Sequence, residues 1–390
     1  MSDTMILRDE IMNMLEEVKN YRRALHKIPE TGLNTKKTKE CLLSIIRKWK
    51  EIEIEEGYVQ NGFVGYLKVN DKDSCVAFRS DIDALPIQEE NEVDFISLHE
   101  GYSHACGHDG HMAILLGTMQ YLIKNKGKLT DNILFIFQPG EEGPGGAKVM
   151  IQNGLFKKYK ARYIFGTHLS GEVEKGKIAC IAGPMMARNG ELSIHIYGKS
   201  AHGALPYEGK DAILASASMI MQLQTIVSRN IDALKSTVLS IGFIHGGQVR
   251  NAIADHVQME GTVRSFYDET YDLQKQRIFE VAKGIEISHQ VKVDVNLVDY
   301  YDVVNNDEYL DSLLQEVVEE DYVVQTPKMI AEDFSFYQKE VPGLFYFTGV
   351  KDENHTNNIH HCCFNFDENA LLYAIETNIR LLTKLEVYHD

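Results

Sequence analysis

The chain carries a single tryptophan and eight prolines in 390 residues, and nowhere do 18 apolar residues run together. A helix that crosses a bilayer needs about 20 such residues, so no spanning segment is expected. The stretch from Met1 to Glu10 lacks the apolar centre of an export signal, which makes the cytoplasm the expected compartment. Cysteine is scarce: Cys41, Cys75, Cys106, Cys180, Cys362 and Cys363, with no C-x-x-C pair. Thiols so few and scattered do not read as a disulfide framework, and they fit a reducing environment. Positive charge is in deficit, with 40 basic against 57 acidic residues and a net charge of −17. That balance disfavours nucleic acid and anionic membrane surfaces as partners. Repeats and low-complexity tracts are also missing.

Against these absences stands an ordinary globular composition, 44% hydrophobic and 25% charged. The length exceeds one small core, so two domains are expected. The densest chemistry is His104-Ala105-Cys106-Gly107-His108-Asp109-Gly110-His111. Three imidazoles, a thiol and a carboxylate packed this tightly read as half of a metal site. An apolar helical pattern begins only at Met112 (Leu115, Leu116, Met119, Leu122), so the cluster is expected in a loop that feeds a helix.

The flanking sequence repeats one grammar. Apolar runs at 75–78, 133–137 and 163–166 read as buried strands, and each ends in polar residues. The first ends at Asp81 and Asp83, the second at the turn Gln138-Pro139-Gly140-Glu141-Glu142-Gly143, the third at Thr167-His168. Sites in open α/β sheets form at the carboxyl ends of strands, so these ends are expected to converge with the cluster. Residues 8–28 read as one helix, with Arg22, Arg23 and His26 as surface or packing residues. From about residue 185 the pattern changes to alternating strands near 192–197, 237–244, 256–263 and 291–298, with helices at 210–228 and 268–288. That order, βαββαβ, is the ferredoxin-like arrangement. The α/β style then resumes, with a helix at 310–319, a strand at 344–348, the loop His360-His361-Cys362-Cys363 and a helix at 367–384. The expected fold is therefore α/β in two domains. Residues 1–185 and 299–390 form a catalytic domain with a mixed, mostly parallel sheet flanked by helices, and 186–298 form an inserted lid or dimerisation domain.

The chemistry singles out Cys106, His108, Glu142, His168 and His360 as metal ligands. Two divalent ions need one shared ligand and about two further ligands each, which five residues supply. Glu141, beside Glu142 on a glycine-rich turn, is expected to act as a general base. Asp83 is expected to orient a ligating imidazole. In the inserted domain His202, Asn251 and Arg264 suit a carbonyl oxygen and an anionic substrate group.

Taken together, several stretches resemble the aminoacylase, hippurate hydrolase and indole-acetyl-amino-acid hydrolase branch of the two-metal, carboxypeptidase-G-like peptidases. They are Arg22 to His26 with Pro29-Glu30, Arg79 to Pro86, His104 to His111, Gln138 to Ala147, Gly166 to His168, Gly198 to Pro206, Gly246 to Asn251, Gly261 to Arg264, Glu332 to Phe334, and His360-His361 with Phe364. The resemblance implies that Cys106 bridges two ions, with His108, Glu142, His168 and His360 as terminal ligands and Glu141 as the base. It implies that His202 polarises the scissile carbonyl, in many relatives from the partner subunit of a dimer, and that Asn251 and Arg264 hold the substrate's carboxylate or carbonyl. One departure is visible: Cys362-Cys363 follow His360-His361 where this branch usually has proline, and of the two histidines His360 is the expected ligand.

The expected activity is hydrolysis of an N-acyl-L-amino acid by a metal-activated water, with manganese or zinc as the metals and cobalt or nickel as further options. A homodimer or higher homo-oligomer is expected through the inserted domain. Rival readings are an N-acetyl-diaminopimelate deacetylase, a dipeptidase or carboxypeptidase, and a metal-binding protein without catalysis. A thiol enzyme built on Cys106 would leave Glu141, Glu142, His168 and His360 unexplained.

Overall fold

A computed structural model describes residues 5–390. The chain divides into two compact units, one of Met1–Met185, Asn305–Thr326 and Asp333–Asp390, the other of Met186–Val304 and Pro327–Glu332.

The first unit is built on an eight-stranded sheet. In spatial order its strands are Ile52–Glu56, Phe63–Leu67, Asn132–Gln138, Ser74–Asp81, Lys160–Glu174, Gly343–Lys351, Ile178–Cys180 and Tyr322–Val324. The four central strands, from Asn132–Gln138 to Gly343–Lys351, pair in parallel, and the pairs Phe63–Leu67 with Asn132–Gln138 and Ile52–Glu56 with Phe63–Leu67 are antiparallel. Asn132–Gln138 is buried at every position, and Ser74–Asp81 at all but its first. Continuous apolar runs of this kind belong to strands covered on both faces. The helices Leu15–His26 and Ala370–Lys384 pack on His108–Lys124. Gly117 permits the close approach, since a Cβ there would lie 2.4 Å from Ile375 Cδ1.

In the second unit four antiparallel strands lie in the order Lys292–Asp299, Arg188–Tyr197, His256–Ser265, Thr237–Gly246. This is the ferredoxin-like order of fourth, first, third and second strand. Burial alternates along Arg188–Tyr197. The inward residues Leu192, Ile194 and Ile196 share a core with Met219 and Leu223 of helix Ala212–Thr225 and Ile278 and Ile285 of helix Asp268–His289.

Several local expectations need correction. The helix at 8–28 is two, Asp9–Met12 and Leu15–His26, and Arg22 and His26 are buried rather than on the surface. The His104–His111 cluster lies only half in a loop: His104 to Gly107 precede the helix, which starts at His108, directly after Gly107 at φ 88°. Every residue from His108 to Leu122 is buried, so no apolar stripe marks where the helix begins. The third strand runs on to Glu174, which places His168 within it. The inserted unit extends to Val304 and takes in 327–332, because the Asn189 backbone pairs with Tyr300 and Tyr301, and the Ala187 amide donates to Ile330 O.

Candidate metal centre

Asp81 and Gln138 are register partners at the ends of two parallel strands. Their continuations leave the sheet side by side, joined by the Ile82 amide donating to Gln138 O at 2.9 Å. Asp83 then ties the two together. Its carboxylate accepts from the Glu141 and Glu142 amides, both at 3.1 Å. Its backbone carbonyl accepts from His108 Nδ1 at 2.9 Å. Asp83 thus orients the imidazole, through its backbone carbonyl, while its carboxylate holds the glutamate turn. The turn itself depends on glycine. Gly140, Gly143 and Gly145 have φ of 77°, 126° and 96°, and a Cβ at Gly146 would lie 1.9 Å from Pro139 O.

Around Cys106 the donors fall into two groups. Its Sγ lies 3.3 Å from His168 Nε2 and 3.3 Å from His360 Nε2. One group is Cys106, His108 and His168; the other is Cys106, Glu142 and His360; within each, donor atoms lie inside 4.8 Å of one another. His360 Nε2 is 3.4 Å from Glu142 Oε1. His108 and His168 each donate from Nδ1 to a backbone carbonyl, of Asp83 and Leu169, which leaves Nε2 as the free donor. His360 reaches the site from a left-handed backbone, φ 65°, with its amide donating to Ala105 O at 2.7 Å. An imidazole-bearing residue in that region is uncommon and is held there by its surroundings.

These residues fit divalent cations. His108 Nε2 is buried with no hydrogen-bond partner among the described residues, a costly condition for a group that a cation would satisfy. Burial keeps His108 and His168 neutral, with His168 well below the usual imidazole range, and a neutral ring is the ligating form. Burial, reinforced by Glu142, Glu141 and Asp81, pushes the Cys106 thiol well above its usual range. A thiolate in so acidic a pocket requires positive charge beside it. Glu141 Oε2 lies 3.9 Å from His108 Nε2, and Glu141 forms a further close group with His108 and Glu142, beside the two groups that share Cys106.

Behind the donors lie buried anchors. His111, a plausible ligand by residue type, has both nitrogens engaged: Nδ1 with Asp81 at 2.7 Å and Nε2 with the Leu169 amide at 2.9 Å. Burial opposes the charge on Asp81, but Arg79 at 3.0 Å and the hydrogen bond from His111 hold its carboxyl well below the usual range. Arg79 also donates to Asp333 at 2.7 Å, and Asp333 accepts from Gln138 Nε2 at 2.7 Å and from the Ala147 amide at 3.0 Å. Asp333 thereby grips both ends of the glutamate turn. Asp109 accepts from Arg22 Nε and His26 Nδ1, and His26 Nε2 meets Glu89 at 3.0 Å. Sequence reasoning noted Arg79, Asp109, His26 and Glu332-Asp333-Phe334 but assigned Asp333 no role. Only its acidic character within an apolar neighbourhood hinted at one.

In the second unit His202 and Asn251 are exposed on paired loops, with the Gly203 amide donating to Asn251 O at 2.8 Å and a bridge between His202 and Ala252. Arg264 does not join them. It sits near the far end of strand His256–Ser265, where Nη1 donates to Met329 O at 2.6 Å. At about 3.3 Å per strand residue, the strand length separates it from that edge.

The fold and this donor set define a class: the two-domain α/β hydrolases that depend on divalent metal. The model of peptidase family M20/M25/M40 matches residues 77–384. An N-acetyldiaminopimelate deacetylase of Listeria monocytogenes is 38% identical over 374 residues, 95% of this chain and 99% of the relative. One from Priestia megaterium is 37% identical, over 94% and 97%. A solved structure from Bacillus subtilis, described as a dinuclear metal binding peptidase of the M20 family, matches with TM-score 0.84 at 30% identity, covering 96% of this chain and 99% of that one. A structure from methicillin-resistant Staphylococcus aureus matches with TM-score 0.90, also at 30% identity, over 97% and 98%. The chain belongs to peptidase family M20/M25/M40, and it is a metal-dependent amidohydrolase. The Listeria and Priestia relatives bear the deacetylase name, which the sequence alone placed second, behind the aminoacylase and hippurate hydrolase branch.

Proposed function

We propose that this enzyme hydrolyses the amide of an N-acyl amino acid, and that its substrate is N-acetyl-diaminopimelate. The substrate reading rests on the name shared by relatives that match nearly the whole chain at 37–38% identity. The chemical reading rests on one observation, the two donor groups that share Cys106 with Glu141 beside them.

Cys106, His108 and His168 would hold one ion, and Cys106, Glu142 and His360 the other. The bound ions supply Lewis acidity, which lowers the pKa of water and polarises a carbonyl. The remaining work falls to side chains. Glu141 accepts a proton from the attacking water and passes it to the leaving amine, so that acetate and a free amino acid result. Asp83 keeps Glu141 in place through the turn amides. His202 donates to the amide oxygen and Asn251 binds beside it, while Arg264, a strand's length away on the same unit, takes no part with them within one copy of the chain.

Manganese and zinc both suit this donor set. All six cysteines are free thiols, which suits the cytoplasm, and no helix among the described residues is long and apolar enough to cross a membrane. Exposed Ile213, Leu214 and Met221 on one helix of the second unit, and Phe243 and Ile244 on its edge strand, favour self-association into a dimer.

The deciding experiment is a hydrolysis panel on metal-free protein reloaded with manganese or zinc, comparing N-acetyl-diaminopimelate with other N-acetyl, N-benzoyl and indole-acetyl amino acids. The highest kcat/KM is expected for N-acetyl-diaminopimelate. A higher value for an N-benzoyl or indole-acetyl substrate would reject the substrate and keep the chemistry; no turnover of any would reject both.

A further inference from the structure

The loop that delivers His360 carries a second set of donors that the reaction does not use. His361, Cys362 and Cys363 place their ligand atoms within 4.8 Å of one another. Cys362 Sγ lies 3.8 Å from Cys363 Sγ, 3.9 Å from His361 Nδ1 and 3.4 Å from Glu90 Oε2. A tetrahedral zinc ion has bonds of about 2.3 Å to sulfur and about 2.0–2.2 Å to nitrogen or oxygen. The edges of that tetrahedron are therefore about 3.8 Å between sulfurs and about 3.6 Å from sulfur to nitrogen or oxygen. The distances measured from Cys362 lie within about 0.3 Å of these edges.

Glu90 belongs to a distant part of the sequence, and it is fixed beside the cysteines by its own amide, which donates to Cys362 O at 3.0 Å. Next to it, Asn91 Nδ2 donates to Phe364 O at 3.2 Å. The two segments are thus already docked. Only one bond stands against ligation: the Cys363 amide donates to His361 Nδ1 at 3.0 Å, and the ring gives this up to bind through that nitrogen. His361 is exposed and both cysteines are half-buried, so an ion has access. The set is separate from the catalytic donors, since His360 alone of this loop turns to Cys106 and Glu142.

We propose that Cys362, Cys363, His361 and Glu90 form an additional binding site for a thiophilic divalent cation of the zinc and cadmium type. An ion there clamps the 360–363 loop to the segment around Glu90. Because His360 is adjacent and its backbone is already constrained, occupancy at the outer site bears directly on a ligand of the inner one.

The test uses full-length protein reduced with a phosphine, saturated with cadmium and freed of excess ion. Elemental analysis should find one more equivalent of cadmium per chain in the wild type than in the double variant Cys362→Ser/Cys363→Ser, with circular dichroism confirming that both are folded. Glu90→Gln should lower the affinity for that last equivalent. As an independent readout, a Cys106→Ala background removes the catalytic thiol. The ultraviolet thiolate-to-cadmium band should persist there and vanish when Cys362 and Cys363 are also replaced. Equal cadmium content in wild type and double variant, or a band unaffected by loss of the pair, would overturn the proposal.

Discussion

Replacing Asp333 by alanine should both destabilise the first unit and loosen the glutamate turn. Asp333 is fully buried. It accepts from Arg79 Nη2, Gln138 Nε2 and the Ala147 amide at 2.7, 2.7 and 3.0 Å. Alanine removes both acceptor oxygens and with them these three hydrogen bonds, while Arg79 stays buried with Asp81 at 3.0 Å and Gln138 Oε1 at 2.9 Å. Deleting one partner of a buried ion pair costs about 3–5 kcal/mol. At about 2 °C per kcal/mol for a body of this size, the melting temperature should fall by ~6–10 °C. Asp333→Asn keeps one acceptor but loses the charge, so it should cost about half as much. Differential scanning calorimetry on metal-free protein follows the transition of the first unit, with the second expected to melt separately. Because Gln138 and Ala147 bracket Glu141 and Glu142, kcat of the reloaded alanine variant should fall while the catalytic side chains remain. An alanine variant that melts within ~2 °C of wild type would refute the view that this network carries buried charge at a net gain.

Glu141→Gln should lower kcat by about 10²–10⁴-fold while metal content stays at the wild-type level; loss of metal instead would make Glu141 a ligand. His26 gives a pH signature. Burial opposes its charge, but Asp109 and Glu89 outweigh burial and its pKa is pushed up to about 9 from 6.5. A folded pKa above the unfolded one means that the stabilisation is complete below pH 6.5 and is lost as pH rises through about 9, a difference of about 3 kcal/mol. The gap in unfolding free energy between wild type and His26→Gln should therefore narrow from pH 6 to pH 10, and a constant gap would exclude a charged His26. Gly146→Ala should reduce metal content, since its Cβ cannot coexist with Pro139 O at 1.9 Å; a fully loaded variant would show that the turn can shift without disturbing Glu142.

The α/β architecture and the inserted ferredoxin-like unit were legible because both leave one-dimensional traces. Ile133 to Phe137 is an unbroken apolar run, and Leu192 to Tyr197 alternates. Where a trace was missing, boundaries slipped. The helix from His108 is buried on every side, so its polar first turn looked like a loop. Residue chemistry at strand ends pointed to Cys106, His108, Glu142, His168 and His360, whose donor atoms lie in the two groups that share Cys106; their ligand roles remain part of the proposal. Residue type could not separate a donor from an anchor. His111 differs from His108 only in that Asp81 and the Leu169 amide occupy both of its nitrogens. Pairings across long sequence separations, such as Arg79 with Asp333, leave no local signal at all. Arg264 fails to meet His202 and Asn251 for a related reason: adjacency of motifs along the chain does not say which end of a strand each will occupy.

The thiol of Cys106 and the ring of His360 meet across 254 residues of chain. The strand Gly343–Lys351 that precedes His360 is interior to the sheet, between Lys160–Glu174 and Ile178–Cys180. During synthesis, therefore, the ribosome releases four of the five donors long before the sheet that supports them can close. The inserted unit, by contrast, is complete by residue 304 apart from the short return at 327–332. It can fold first, holding the two ends of the interruption near one another and shortening the loop that the larger unit must close. Insertion of one unit into the other thus permits an order of assembly in which the donor set is completed only after the inserted unit has formed and His360 has been made.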